Sequence, residues 1–88
     1  MGSREAYDTV RKALASSPRT SIVDCTYDDA TFGNFVVAFE LEGQPRSVVH
    51  DRGELALCSD LTGTRQCATV VSSIADADEQ TLIEALKL

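Results

Sequence analysis

A chain of 88 residues, 43% of them hydrophobic and a quarter charged, with a formal net charge of −6, is read as one small globular domain, 1–88. Its acid excess argues against nucleic acid as a partner, because phosphate binding depends on clustered Lys and Arg. No apolar run approaches the ~20 residues that cross a bilayer, and MGSREAYDTVRKAL lacks the apolar segment of a secretory leader, so no membrane role and a cytoplasmic location are expected.

The first predicted element is a helix over 3–16. Tyr7, Val10 and Leu14 fall on one stripe with Ala6 and Ala13 beside them; Ser3 is placed to cap it, and Ser16-Ser17-Pro18 ends it. TSIVDCTYDD reads as a strand with Val23, Cys25 and Tyr27 on one face and Asp24, Thr26 and Asp28 on the other. Residues 28–34 then form a loop. The clearest alternation follows: Phe35, Val37, Phe39 and Leu41 must face the core, while Val36, Ala38 and Glu40 face away. Gly43 and Pro45 mark a turn, Arg46 to Asp51 makes the next strand, and Asp51-Arg52-Gly53 reads as a three-residue hairpin loop. Glu54 to Ser59 runs back with Leu55 and Leu57 as core candidates. After a polar loop over 60–66, CATVVSSI is expected as a fifth strand. A closing helix takes Asp76 as its cap, Glu79 three residues on, and Leu82, Ile83 and Leu86 as its buried stripe.

The order α-β-β-β-β-β-α with hairpin-length connections predicts an α+β two-layer sandwich. An antiparallel sheet of four to five strands carries the N- and C-terminal helices on one face, and the other face is exposed or partnered. A core this thin leaves little room for an enclosed active site.

The acid excess is concentrated in the middle of the chain, where residues 20–51 hold six acidic side chains against one basic. Pairing of the strands around Asp24 and Glu40 would gather Asp24, Asp28, Glu40 and Glu42 on the side away from the helices. Like charges set side by side are mutually unfavourable, and a partner bringing Lys or Arg would relieve them. Asp24, Asp28, Asp29, Glu40 and Glu42 are therefore the candidate partner-binding residues, with plain solubility as the commoner role of such a surface. No metal-ligand spacing, phosphate loop or nucleophile motif is present, which points to no cofactor and no enzyme. Cys25, Cys58 and Cys67 are expected as reduced thiols, although Cys58 and Cys67 flank one loop and a disulfide or redox-sensitive pair between them stays open. A metal- or redox-responsive regulator using Cys58, Cys67 and His50 is accordingly one alternative. A homodimer, with Val36, Ala38, Val49 and Ala56 lining a seam, is another.

FGNFVVAFELEGQPRSVVHDRGEL resembles a pattern of small bacterial α+β proteins in which an FGN turn leads into a strand, a hairpin and a D-R-G turn. Several of these resemble immunity proteins of toxin systems: small, cytoplasmic, often acidic inhibitors that bind one toxin. The resemblance covers residues 32–55 and implies a protein-binding role, with the contact surface near Asp28, Asp29, Glu40 and Glu42. It carries no catalytic residue to any position.

Overall fold

The computed structural model describes residues 2–30 and 33–88. They form helix α1 (Ser3–Ser16), strands β1 (Thr20–Asp28), β2 (Asn34–Leu41), β3 (Gln44–Asp51), β4 (Glu54–Cys58) and β5 (Ala68–Val71), a 3-10 turn (Ile74–Asp76), and helix α2 (Glu79–Leu86). The five strands make one antiparallel meander in the order β1-β2-β3-β4-β5, the expected α+β arrangement. Thr31 and Phe32, the latter part of the FGN pattern, lie outside the described residues.

Turn chemistry sets this topology. Leu41 pairs with Gln44 and Asp51 with Glu54, so the two central hairpins turn on only two residues each, Glu42-Gly43 and Arg52-Gly53. All four have positive φ, which twists the chain as the flanking strands require. The D-R-G loop is thus one residue shorter than expected, with Asp51 already in the ladder. Pro45 is tolerated in β3 because the β3–β4 pairing starts only at Ser47.

Alternation then sorts the faces. Phe35, Val37 and Phe39 of β2, Val48 of β3, Leu55 of β4 and Val71 of β5 pack against Ala6, Tyr7, Val10, Ala13 and Leu14 of α1 and Leu82 and Leu86 of α2. Each large side chain so buried is worth about 1.5–3 kcal/mol against exposure. Ser3 proves to be the first helical residue rather than a cap; Gly2 holds the cap position, and the Ser3 hydroxyl lies 3.0 Å from that of Tyr27. The α2 cap is Asp78, whose Oδ1 accepts from the Thr81 N–H at 2.7 Å. Asp76 instead ends the 3-10 turn, which also shortens β5 relative to the expected span. At the far end, Arg19 ties three elements by donating to Glu42 Oε1 (3.1 Å from Nε) and to the Lys87 carbonyl (2.9 Å).

β1 departs from simple alternation. A bulge between Ile22 and Asp24 makes Val23 an extra residue, 51% exposed, and not a core partner of Cys25 and Tyr27.

Candidate functional site

The reverse face of the sheet, away from the helices, carries the feature most suited to binding. Register places Thr26 opposite Val36, Val36 opposite Val49, Val49 opposite Ala56 and Ala56 opposite Thr69. This row of small and β-branched side chains crosses all five strands. Strand spacing of about 4.8 Å makes it roughly 19 Å long, the reach of about six extended residues. Two shallow cavities of about 380 and 360 Å³ lie along it and share Val49 and Asp51 as lining.

One rim of this trough is acidic. Asp28 stands opposite Asn34, and Asp51 opposite Glu54, one step along the strands from the apolar row. Side chains that alternate share a face, so Asp51 and Glu54 take the same side as Val49 and Ala56. Two like charges directly opposite one another are unfavourable, and neither has an ion-pair partner among the described residues. Arg52, in the turn between them, also lines the trough.

The other rim is the β4–β5 loop, which folds back over the sheet. Gly63 comes close to the floor: a Cβ there would stand 2.6 Å from Val49 Cγ2 and 3.6 Å from both Ser47 Oγ and Val36 Cγ1. The reverse face is therefore half covered, in contrast to the bare face expected. Ala38, Ser47 and Cys58, all on that side, are buried. A disulfide between Cys58 and Cys67 closes the loop, correcting the expectation of reduced thiols; Cys25 alone is free and packs on the core side. Inside the loop, Asp60 accepts from the Thr62 and Thr64 hydroxyls and from the backbone N–H groups of Thr64 and Arg65. Those bonds, the Thr62 hydroxyl foremost, hold its carboxyl well below the ordinary value of 3.8.

The expected acidic residues are only partly gathered. Asp24, opposite Ala38, and Glu40, opposite Ser21 and Pro45, are exposed on the reverse face but lie beyond the trough. Asp28 lines the trough and accepts from the Ala30 N–H at 2.9 Å. Asp29 sits past the end of β1 in the turn. Glu42 does not join them, because positive φ in its hairpin turns it toward Arg19, with which it makes an ion pair. Asp51 and Glu54 were missed as a pair, although their parity with Val49 and Ala56 and their position either side of Arg52-Gly53 carry the signal.

His50 is structural. It is 4% exposed and stacks on Phe35 with ring centroids 5.2 Å apart. The Gly53 N–H donates to Nε2 at 3.2 Å, which leaves the proton on Nδ1 to donate to the Gly33 carbonyl at 3.0 Å. Both ring nitrogens are thus engaged, and Cys58 and Cys67 are bonded to each other. Among the described residues no group of three His, Cys, Asp or Glu side chains is placed to hold a metal ion, and no helix is long and apolar enough to cross a membrane. Comparisons with protein-family models, with curated proteins and with solved structures find no match to this chain.

Proposed function

We propose that this chain is a non-enzymatic, acidic protein-binding module whose reverse-face trough holds an extended, lysine- or arginine-bearing segment of a partner protein. The carrying observation is the opposed pair Asp51 and Glu54, with no ion-pair partner among the described residues, along the edge of an apolar floor. An extended segment laid along the trough presents alternate side chains to the floor and to the acidic rim, so apolar contact and charge relief come together. Asp28 extends that rim toward β1, while Asp24, Asp29 and Glu40 add to the field that draws a basic partner in. The immunity-type resemblance makes the partner a toxin polypeptide and the setting the cytoplasm.

The test is fluorescence anisotropy of a labelled peptide of alternating lysine and valine, at low and high salt. Binding is expected at low salt, weakened by salt and weakened about tenfold or more by the double variant Asp51→Asn, Glu54→Gln. Binding that is absent, or indifferent to that variant, rejects the trough as the binding surface.

A second reading rests on the free edge of β1, where Ile22 is 36% and Val23 51% exposed. There a second copy adds strand to strand to make a homodimer. Sedimentation showing only monomer at micromolar concentration would end it.

A further inference from the structure

The larger reverse-face cavity, of about 380 Å³, has two chemically distinct ends. One holds the Cys58–Cys67 bond, which joins cross-strand neighbours at the base of the β4–β5 hairpin, one position on from the Leu57–Ala68 pair. Its two sulfurs are unequal, because Cys58 is fully buried and Cys67 is exposed. Thiol–disulfide exchange proceeds at the sulfur a thiolate can reach, so attack falls on Cys67 and Cys58 is the leaving group. The hairpin has other ties: the Ser59 N–H donates to the Arg65 carbonyl at 2.9 Å, and Asp60 accepts from the N–H groups of Thr64 and Arg65. The floor beneath is held by the β3–β4 ladder. Exchange at Cys67 therefore leaves the cavity standing.

The other end carries both signs of charge. Asp51, Arg52 and Glu54 line it, and none of the three has an ion-pair partner among the described residues. A head group bearing an ammonium and a carboxylate meets a partner for each. The ammonium faces Asp51 and Glu54, and the Arg52 guanidinium takes the carboxylate with two parallel hydrogen bonds. Glu54 and Cys58 stand four residues apart on β4, about 13 Å along a strand, which leaves roughly 10 Å once the long Arg52 and Glu54 side chains reach in. Free cysteine is too short to span that gap. A cysteine linked through a peptide bond to an amino-acid head is long enough, and its middle lies over Val49 and Ala56.

We propose that this cavity is a thiol–disulfide exchange site for a small cysteinyl peptide with a zwitterionic head, which becomes bonded to Cys67. The peptide thiol gives its proton to water, and the thiolate attacks the Cys67 sulfur. A sulfur–sulfur bond forms between the peptide and Cys67, the Cys58–Cys67 bond breaks, and Cys58 leaves as a thiolate that takes up a proton. One thiol and one disulfide become another thiol and another disulfide, so no further oxidant or reductant is consumed. Arg52, Asp51 and Glu54 hold the head while Cys67 holds the sulfur. The peptide thiol occupies the cavity whether or not a partner segment ever lies along the trough, so either role stands without the other.

The probe is glutathione, with 2-mercaptoethanol as a thiol that lacks the head. The oxidised full chain is treated with each at low salt, timed samples are quenched with N-ethylmaleimide, and intact mass with peptide mapping reads the rate and the position of the adduct. The first adduct is expected on Cys67. The ratio of glutathione to mercaptoethanol rates is expected to fall about tenfold in Arg52→Asn, a residue suited to the left-handed backbone there, and as much in the double variant Asp51→Asn, Glu54→Gln. A second arm uses Cys58→Ser, in which no neighbouring thiol displaces the adduct, with circular dichroism to confirm folding. At equilibrium its Cys67 is expected to favour glutathione disulfide over the disulfide of mercaptoethanol about tenfold, a preference that Arg52→Asn removes. No adduct in the oxidised chain, or a first adduct on Cys58, overturns the exchange site. An adduct on Cys67 whose rate ratio ignores the charge variants overturns recognition of the head and rejects the proposal. If Cys58→Ser does not fold, the first arm decides alone.

Discussion

Asp60 shows how much a single exposed side chain organises here. Its carboxylate gathers donors from Thr62, Thr64 and Arg65, so the folded chain favours the ionised form and the pKa falls below the ordinary 3.8. A depressed folded-state pKa contributes stability above the unfolded value and loses it as pH falls through the folded one. Asp78 is shifted in the same direction by the Thr81 backbone N–H and hydroxyl. Acidification below about pH 4 should therefore lower the urea midpoint, and Asp60→Asn should make that decline shallower. An acid limb identical in the variant would mean that these bonds do not persist in solution. The role of Asp60 was half legible, since D-L-T-G-T reads as a turn whose acid can fold back on its own backbone. Gly63 was not legible as a contact. Its positive φ explains a glycine there, but no local pattern announces that the backbone rests on Val49, because that approach is set by a residue 14 positions away.

Among the elements, the strand meander was the most readable. Alternation in 34–41 assigned Phe35, Val37 and Phe39 to the core, and the placement of Gly43 and Gly53 located both central hairpins. Helix ends were less readable, because Ser3, Asp76 and Asp78 offer competing caps and tertiary packing chooses among them. His50 links two such elements. Its Nδ1–H holds the Gly33 carbonyl of the β1–β2 connection, and its Nε2 receives the Gly53 N–H of the β3–β4 hairpin. Strand parity with Val48 suggested its burial, but the two backbone partners depend on loops meeting in space. Replacing His50 by leucine keeps the apolar bulk against Phe35 and strands both backbone groups. The variant should lose about 2 kcal/mol in urea unfolding at neutral pH. Unchanged stability would show that water satisfies those groups equally well.

At the scale of the molecule, the two faces of the sheet are unlike. The helix side is a closed apolar layer, with His50 as its buried polar member. The reverse side is a shallow apolar row with carboxylates on one flank and a disulfide-closed loop on the other. Composition and alternation disclosed the acidic character of that side and placed Asp24, Asp28 and Glu40 on it. They did not disclose that the loop folds over part of that side, nor that Asp51 and Glu54 stand opposed beside the floor. Two cysteines at the ends of one loop were the available hint, and spacing alone does not separate a bond from two thiols. The most direct test of the binding surface is a two-dimensional amide NMR titration with the lysine–valine peptide. The largest shifts are expected at Val36, Val49, Asp51, Glu54, Ala56 and Thr69, with α1 and α2 undisturbed. Shifts centred on the helices, or scattered thinly over every acidic residue, would contradict a partner seated in the trough.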